Sequence, residues 1–268
     1  MYEKYWGLKE SPFENVPDPS FFYRSEEHEE AIMRLLYAVK RRKGAAMLTG
    51  EVGCGKTMLS RSFIQELSDN NKYEIALITN PSLGPIDFLK EILYQFGNDI
   101  KADSKTELLH TLNDEILSNM SNGKDTVVLI DEAQIIEDVQ TFEELRLLLN
   151  FQLNTRYLLT LVLIGQPELK EKIHHIKQLD QRISIRYHIK PFDFKDTAHY
   201  IIFRFKRAGL KKNIITKEAV EKIYSYTKGV PRMINTICDL SLLVGFSSKM
   251  KVIDSKLVQR LIDEGLRE

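Results

Sequence analysis

The chain has 268 residues, enough for one large domain or for a core with a smaller appendage. Its 43% hydrophobic and 28% charged residues exclude a mainly disordered chain, and 38 basic against 38 acidic side chains leave no global charge that points to nucleic acid or a membrane surface. Two cysteines, Cys54 and Cys238, are too few for a disulfide framework or a metal cluster and fit a reducing compartment.

In chain order, Met1–Phe13 lacks the basic start and apolar run of a signal peptide. A helix is expected over Glu26–Lys43, with Ser25 as a cap and Ile32, Leu35, Leu36 and Val39 at helical spacing. Ala45–Thr49 reads as a short apolar strand, Gly50–Gly55 as a glycine-punctuated loop and Lys56–Leu67 as a helix. Tyr73–Thr79 is a strand ended by Asn80-Pro81. Helices follow near Ile86–Phe96 and Lys105–Met120, a buried strand over Thr126–Ile130 and a helix over Phe142–Asn150. Leu158–Ile164 and Ile185–Ile189 are further strands. The longest apolar stretch, Tyr157–Gly165, is far short of the ~20 residues that span a bilayer. A soluble, cytoplasmic protein is expected, membrane-associated only through a partner and without direct insertion.

Strands alternating with helices imply a parallel sheet covered on both faces. After Pro191-Phe192 the pattern turns wholly helical: Asp193–Ala208, Thr216–Thr227, Pro231–Phe246 and Asp254–Asp263. Residues 191–268 carry 15 basic and 9 acidic side chains, so they are positive and the remainder is correspondingly negative. Such a division suits complementary surfaces between domains or subunits, or a solvated basic face.

Gly50-Glu51-Val52-Gly53-Cys54-Gly55-Lys56-Thr57 is a G-x-x-x-x-G-K-T loop between a strand and a helix. Glycines let successive N–H groups point into one hollow, and the helix N-terminus adds partial positive charge. Lys56 supplies a mobile charge for the β- and γ-phosphates of ATP, and Thr57 places a hydroxyl on Mg²⁺. Residues Gly50 to Thr57 with Met58 are the expected nucleotide contacts. Val127–Ile130 is an apolar strand that ends in Asp131-Glu132. Asp131 is expected in the Mg²⁺ shell and Glu132 as general base toward the attacking water, the alternative being two acids that cap the next helix. Gln166, after Leu158–Ile164, is a γ-phosphate or water sensor if its strand is inserted between those of the loop and the acids. Otherwise it is a turn residue. Arg182 and Arg186 are candidate fingers into a neighbouring subunit's nucleotide, and at least one of them is expected to be a surface ion pair. Arg232, in the first turn of a helix after Gly229-Val230-Pro231, is placed to contact the nucleotide and report its state. Cys54 is either a reactive thiolate beside Lys56 or a packed side chain. His188 is expected to be packed. The fold class read from these features is α/β, a P-loop NTPase core with a doubly wound parallel sheet and a C-terminal helical lid.

The chain resembles the AAA+ ATPases and, over nearly its whole length, the ExeA or general secretion pathway protein A type. The residues that carry the resemblance are Tyr5-Trp6-Gly7-Leu8, Pro12-Phe13, Pro17-Asp18-Pro19, Gly50–Thr57, Asp131-Glu132-Ala133-Gln134, Leu145–Asn150, Ile164–Leu169, Gln181-Arg182-Ile183, Arg186-Tyr187-His188 and Gly229–Arg232. It implies an oligomeric, ring or filament ATPase that drives assembly or remodelling of an envelope machine, secretin or type IV pilus-like. It also implies that residues 1–23 help to seat the nucleotide, with the core over 24–190 and the lid over 191–268. The MuB/TniB-like transposition ATPases share the core, and they imply a double-stranded DNA partner. The basic runs Lys40–Lys43 and Arg204–Lys212 would serve that role.

Overall fold

The five strands expected from the sequence form one parallel sheet. The structure is a computed structural model that describes residues 1–69, 71–98, 100 and 104–265, and these fall into two units. The first spans residues 27–52 and 59–189; the second joins 1–26, 53–58 and 190–268.

In the first unit the elements in order are helix α2 (Glu26–Lys40), β1 (Ala45–Gly50), α3 (Lys56–Ser68), β2 (Tyr73–Ile78), α4 (Pro85–Gln95), α5 (Lys105–Ser121) and β3 (Asp125–Ile130). After α6 (Val139–Leu148) comes a small antiparallel hairpin, β4 (Gln152–Leu153) with β5 (Arg156–Tyr157). β6 (Leu159–Gly165), α7 (Glu168–His174), α8 (Lys177–Asp180) and β7 (Ile183–Ile189) complete it. The sheet order is β2-β3-β6-β1-β7, every pairing parallel. All residues of β1 and β6 are buried, because central strands of a parallel sheet need apolar side chains on both faces. The edge strand β7 instead alternates, exposing Ser184, Arg186 and His188; charged side chains on an edge also discourage further strand addition.

One face of the sheet packs Met47, Ile78, Val128, Ile130 and Leu161 into a cluster with Phe88, Leu89, Ile92 and Leu93 of α4, Leu108 and Leu112 of α5, and Phe142 and Leu145 of α6. Each such buried side chain contributes roughly 1.5–3 kcal/mol of transfer free energy before chain entropy is counted. α2 stops at Lys40, short of the expected Lys43. Arg42 (φ 50) and Gly44 (φ 80) take left-handed conformations, and the N–H of Lys43 closes back on the Ala38 carbonyl at 2.9 Å.

The second unit is helical: α1 (Glu3–Trp6), then α9 (Phe194–Arg207), α10 (Lys217–Thr227), α11 (Pro231–Ser247) and α12 (Ser255–Asp263). The N-terminal segment is built into its core, where Tyr2, Trp6, Leu8, Phe13 and Phe21 pack with Ile201, Phe205, Ile234, Ile237 and Leu242. Trp6 donates its indole N–H to the Leu242 carbonyl at 2.9 Å. Gly245 makes room for that ring, since a Cβ there would stand 2.8 Å from Trp6 Cζ2. Arg204 is 7% exposed. It donates to the carbonyls of Pro12 and Glu14 and to the Tyr200 hydroxyl, with the Phe21, Tyr200 and Phe13 rings 4.9, 5.6 and 5.9 Å away. Where the sequence reads as three stretches, the contacts therefore join the N-terminal segment to the C-terminal helices. Among the described residues, no helix is long and apolar enough to cross a membrane.

Candidate active site

The glycine-punctuated loop has the backbone its sequence demands. Gly53 (φ 81) and Gly55 (φ 87) lie in the left-handed region, and α3 opens directly on Lys56, which is 5% exposed. Gly53 is required for a second reason. A Cβ there would meet Arg232 Cβ at 2.8 Å and Val230 Cγ1 at 3.1 Å, and the Arg232 N–H donates to the Gly53 carbonyl at 3.3 Å. Arg232 follows Pro231 in the first turn of α11, its side chain exposed. Gly229 (φ 80) sets the approach to this helix, because a Cβ there would lie 1.8 Å from the Phe192 carbonyl oxygen. Gly50 is buried at the end of β1, Glu51 and Val52 are exposed, and Thr57 and Met58 are half-buried. Cys54 is 1% exposed; the packed alternative fits it, and the reactive-thiolate reading loses the access it needs. Burial also pushes the Cys238 thiol up.

The carboxyl ends of the strands come together in the first unit. Register pairs Ile130 with Leu163 and Thr49 with Gly165, and β6 lies between β1 and β3, the condition on which Gln166 was expected to act as a sensor. Asp131 is 3% exposed; its Oδ1 accepts the Glu132 N–H at 2.9 Å, and its Oδ2 lies 3.5 Å from the Ser60 hydroxyl. Glu132 is half-buried and left-handed at φ 52, a conformation that costs a non-glycine residue energy and turns its side chain out of the strand direction. Its Oε2 accepts from Gln134 Nε2 at 2.6 Å, and the Gln134 side-chain oxygen accepts the Gln166 N–H at 3.0 Å. Lys172 of α7 donates to the carbonyls of Gln134 and Ile136 at 2.6 and 2.8 Å. Sequence reasoning missed this network; the Asp-Glu-Ala-Gln string names its members, but spacing alone does not reveal that the glutamine folds back.

The two candidate finger arginines differ. Arg186 is held by Asp180, through the carboxylate at 2.8 Å and the main-chain carbonyl at 2.6 Å. Arg182 has its Nη1 buried without a hydrogen-bond partner among the described residues. His188 is exposed on β7 rather than packed, with Nδ1 3.0 Å from the Thr49 hydroxyl. The basic runs are partly consumed by structure. Arg42 pairs with Asp125 at 2.6 Å, Lys43 lies 5.8 Å from the Tyr37 ring centre, and Arg204 is buried. Lys206, Arg207, Lys211 and Lys212 remain exposed.

The residues present fit a nucleoside triphosphate with a hard divalent cation. Left-handed glycines ahead of a helix that opens on a buried lysine suit a phosphate group, and the Thr57 hydroxyl and the Asp131 carboxylate are each an oxygen donor of the kind Mg²⁺ prefers. The AAA domain family matches residues 39–173. General secretion pathway protein A of Aeromonas hydrophila is 41% identical over 251 residues, 92% of this chain but 45% of that protein, so the chain spans less than half of that relative. The structure of Drosophila ORC bound to DNA superposes with a TM-score of 0.73 at 19% identity, over 98% of this chain and 66% of that one. The Aeropyrum pernix ORC2 protein, in its ADPNP-ADP complexes, gives 0.69 at 15% identity, over 96% of this chain and 72% of that one. At such identities the likeness is one of fold.

Proposed function

The chain belongs to the AAA domain family, and on that premise we propose that it is a Mg²⁺-dependent ATPase of the general secretion pathway protein A type, working as a homo-oligomer that drives assembly or remodelling of an envelope machine. What carries the ATPase reading is the loop: left-handed Gly53 and Gly55 immediately before a helix that opens on buried Lys56. Lys56 neutralises the β- and γ-phosphates, while Thr57 and Asp131 hold Mg²⁺, which when bound supplies further charge neutralisation there. Glu132 takes the proton of the attacking water. Gln166 senses the γ-phosphate from the end of β6. Arg232, whose main chain bonds the loop at Gly53, transmits the nucleotide state to the helical unit. Gly50, Glu51, Val52, Cys54 and Met58 complete the nucleotide contacts, and the N-terminal segment, fixed to the same helices, helps to seat the base. Arg182, with its unsatisfied guanidinium nitrogen, is the better finger toward a neighbouring subunit, because Arg186 is held by Asp180.

The name of the Aeromonas relative supports a secretion partner; a cytoplasmic site of action, with membrane association through that partner, belongs to the same proposal. A DNA-regulated role of the transposition type is the second reading, favoured by the exposed Lys206, Arg207, Lys211 and Lys212. The test of the ATPase reading is turnover of the purified protein with Mg²⁺ and ATP against Lys56→Ala, which should lose nucleotide binding. ATPase stimulation by double-stranded DNA that fades steeply with salt would move the assignment to the second reading.

A further inference from the structure

Gln134 sits two residues beyond Glu132, in the short 3-10 turn Ala133–Ile135, and its side chain is fixed at both ends. The orientation of the amide is forced. The Gln166 N–H at 3.0 Å only donates, so the atom it meets must be the amide oxygen; the Glu132 carboxylate at 2.6 Å is met by the NH₂. The turn beneath is pinned by Lys172, whose ammonium bonds the carbonyls of Gln134 and Ile136. Gly165 leaves the necessary room, since a Cβ there would stand 2.7 Å from Gln134 Oε1 and 2.9 Å from Leu169 Cδ2.

We propose that Gln134 is a positioning residue for Glu132. One side-chain amide ties the carboxylate to the carboxyl end of β6. It thereby sets the direction in which Glu132 offers its other oxygen, and it transmits any movement of Gly165-Gln166 to that oxygen. The inference rests on the ATPase reading, in which Glu132 is the base. The titratable side chains tied into this cluster are Asp131, Glu132 and Lys172.

The test compares steady-state ATP hydrolysis of the full chain with that of Gln134→Leu and the near-isosteric Gln134→Glu. At pH 8 both substitutions should lower kcat, tenfold to on the order of 10²-fold, the scale of a misplaced catalytic group. KM for ATP should stay within about threefold, because no atom of Gln134 serves phosphate binding in this scheme. If Gln134→Leu does not fold, Gln134→Glu decides alone, because it keeps the side-chain length and loses only the NH₂ that meets Glu132. Wild-type kcat in either folded variant, or a loss confined to KM, overturns the proposal while wild-type turnover keeps the ATPase reading. Absence of wild-type turnover removes both.

Discussion

Arg204→Leu should loosen the N-terminal segment without disturbing the sheet. The substitution keeps most of the apolar volume and deletes the guanidinium that bonds the carbonyls of Pro12 and Glu14. A hydrogen bond from a charged donor contributes about 1.5–3 kcal/mol. Taking the low end for two bonds, and nothing for the three surrounding rings, gives about 3 kcal/mol. That raises the population in which the segment has come away from the helices on the order of 10²-fold. The Lys9 amide reports this directly, because it donates to the Ala208 carbonyl at 2.8 Å. Its hydrogen exchange should accelerate by the same factor where reclosing outpaces exchange. Amides of β3, bonded within the sheet, should keep their rates, and Arg207→Leu on the exposed side of α9 should leave Lys9 unchanged. Lys9 exchange less than about tenfold faster in Arg204→Leu would refute the assignment of Arg204 as the anchor.

Gly229→Ala should cost more than the roughly 1 kcal/mol of a left-handed alanine, because its methyl would enter the Phe192 carbonyl; a thermal midpoint lowered by less than about 2 °C would count against this. Glu132→Gln should bind ATP and turn it over poorly, and near-wild-type hydrolysis would remove Glu132 from the role of base. Arg182→Ala should lower turnover by about 10³-fold while single chains still bind ATP, and mixing it with Lys56→Ala should restore part of the activity at mixed interfaces. No rescue in proven mixed assemblies would place the arginine's action within one chain. Burial, aided by the hydrogen bond to Asp196, pushes the Tyr23 hydroxyl up to about 12 from its ordinary 10. The folded state thus favours neutral Tyr23, and this stabilisation is full below pH 10 and lost as the pH rises toward 12. Denaturant midpoints at pH 9 and pH 11 should differ less in Tyr23→Phe than in wild type.

β1, β3 and β6 were legible because each is an apolar run long enough for the two-sided burial of a central strand in a parallel sheet, and Asp131-Glu132 could be placed because such a run ended there. Periodicity is blind to partners far along the chain. Arg204 reads as part of a basic run, yet carbonyls some 190 residues away claim it. Trp6 reads as a motif aromatic, yet it is core to α11. The hairpin of β4 and β5 and the short α7 and α8 carry too few residues for a pattern to form. Gln134 was visible only as a letter in a string, since a side chain that doubles back leaves no trace in spacing.

The helical unit draws on widely separated stretches of the polypeptide, with Tyr2 bonded to Asp239 across 237 positions. At a synthesis rate of about 5–20 residues per second, some 10–40 s separate the emergence of the N-terminal aromatics from that of α9. The sheet unit can close during that interval, since its strands appear in succession. Trp6, Phe13 and Phe21 meet their partners on these helices only once the helices leave the ribosome, so an apolar segment stays uncovered while the intervening residues are made. Such a segment is a natural substrate for a ribosome-bound holdase, and slow codons placed ahead of α9 would lengthen its exposure.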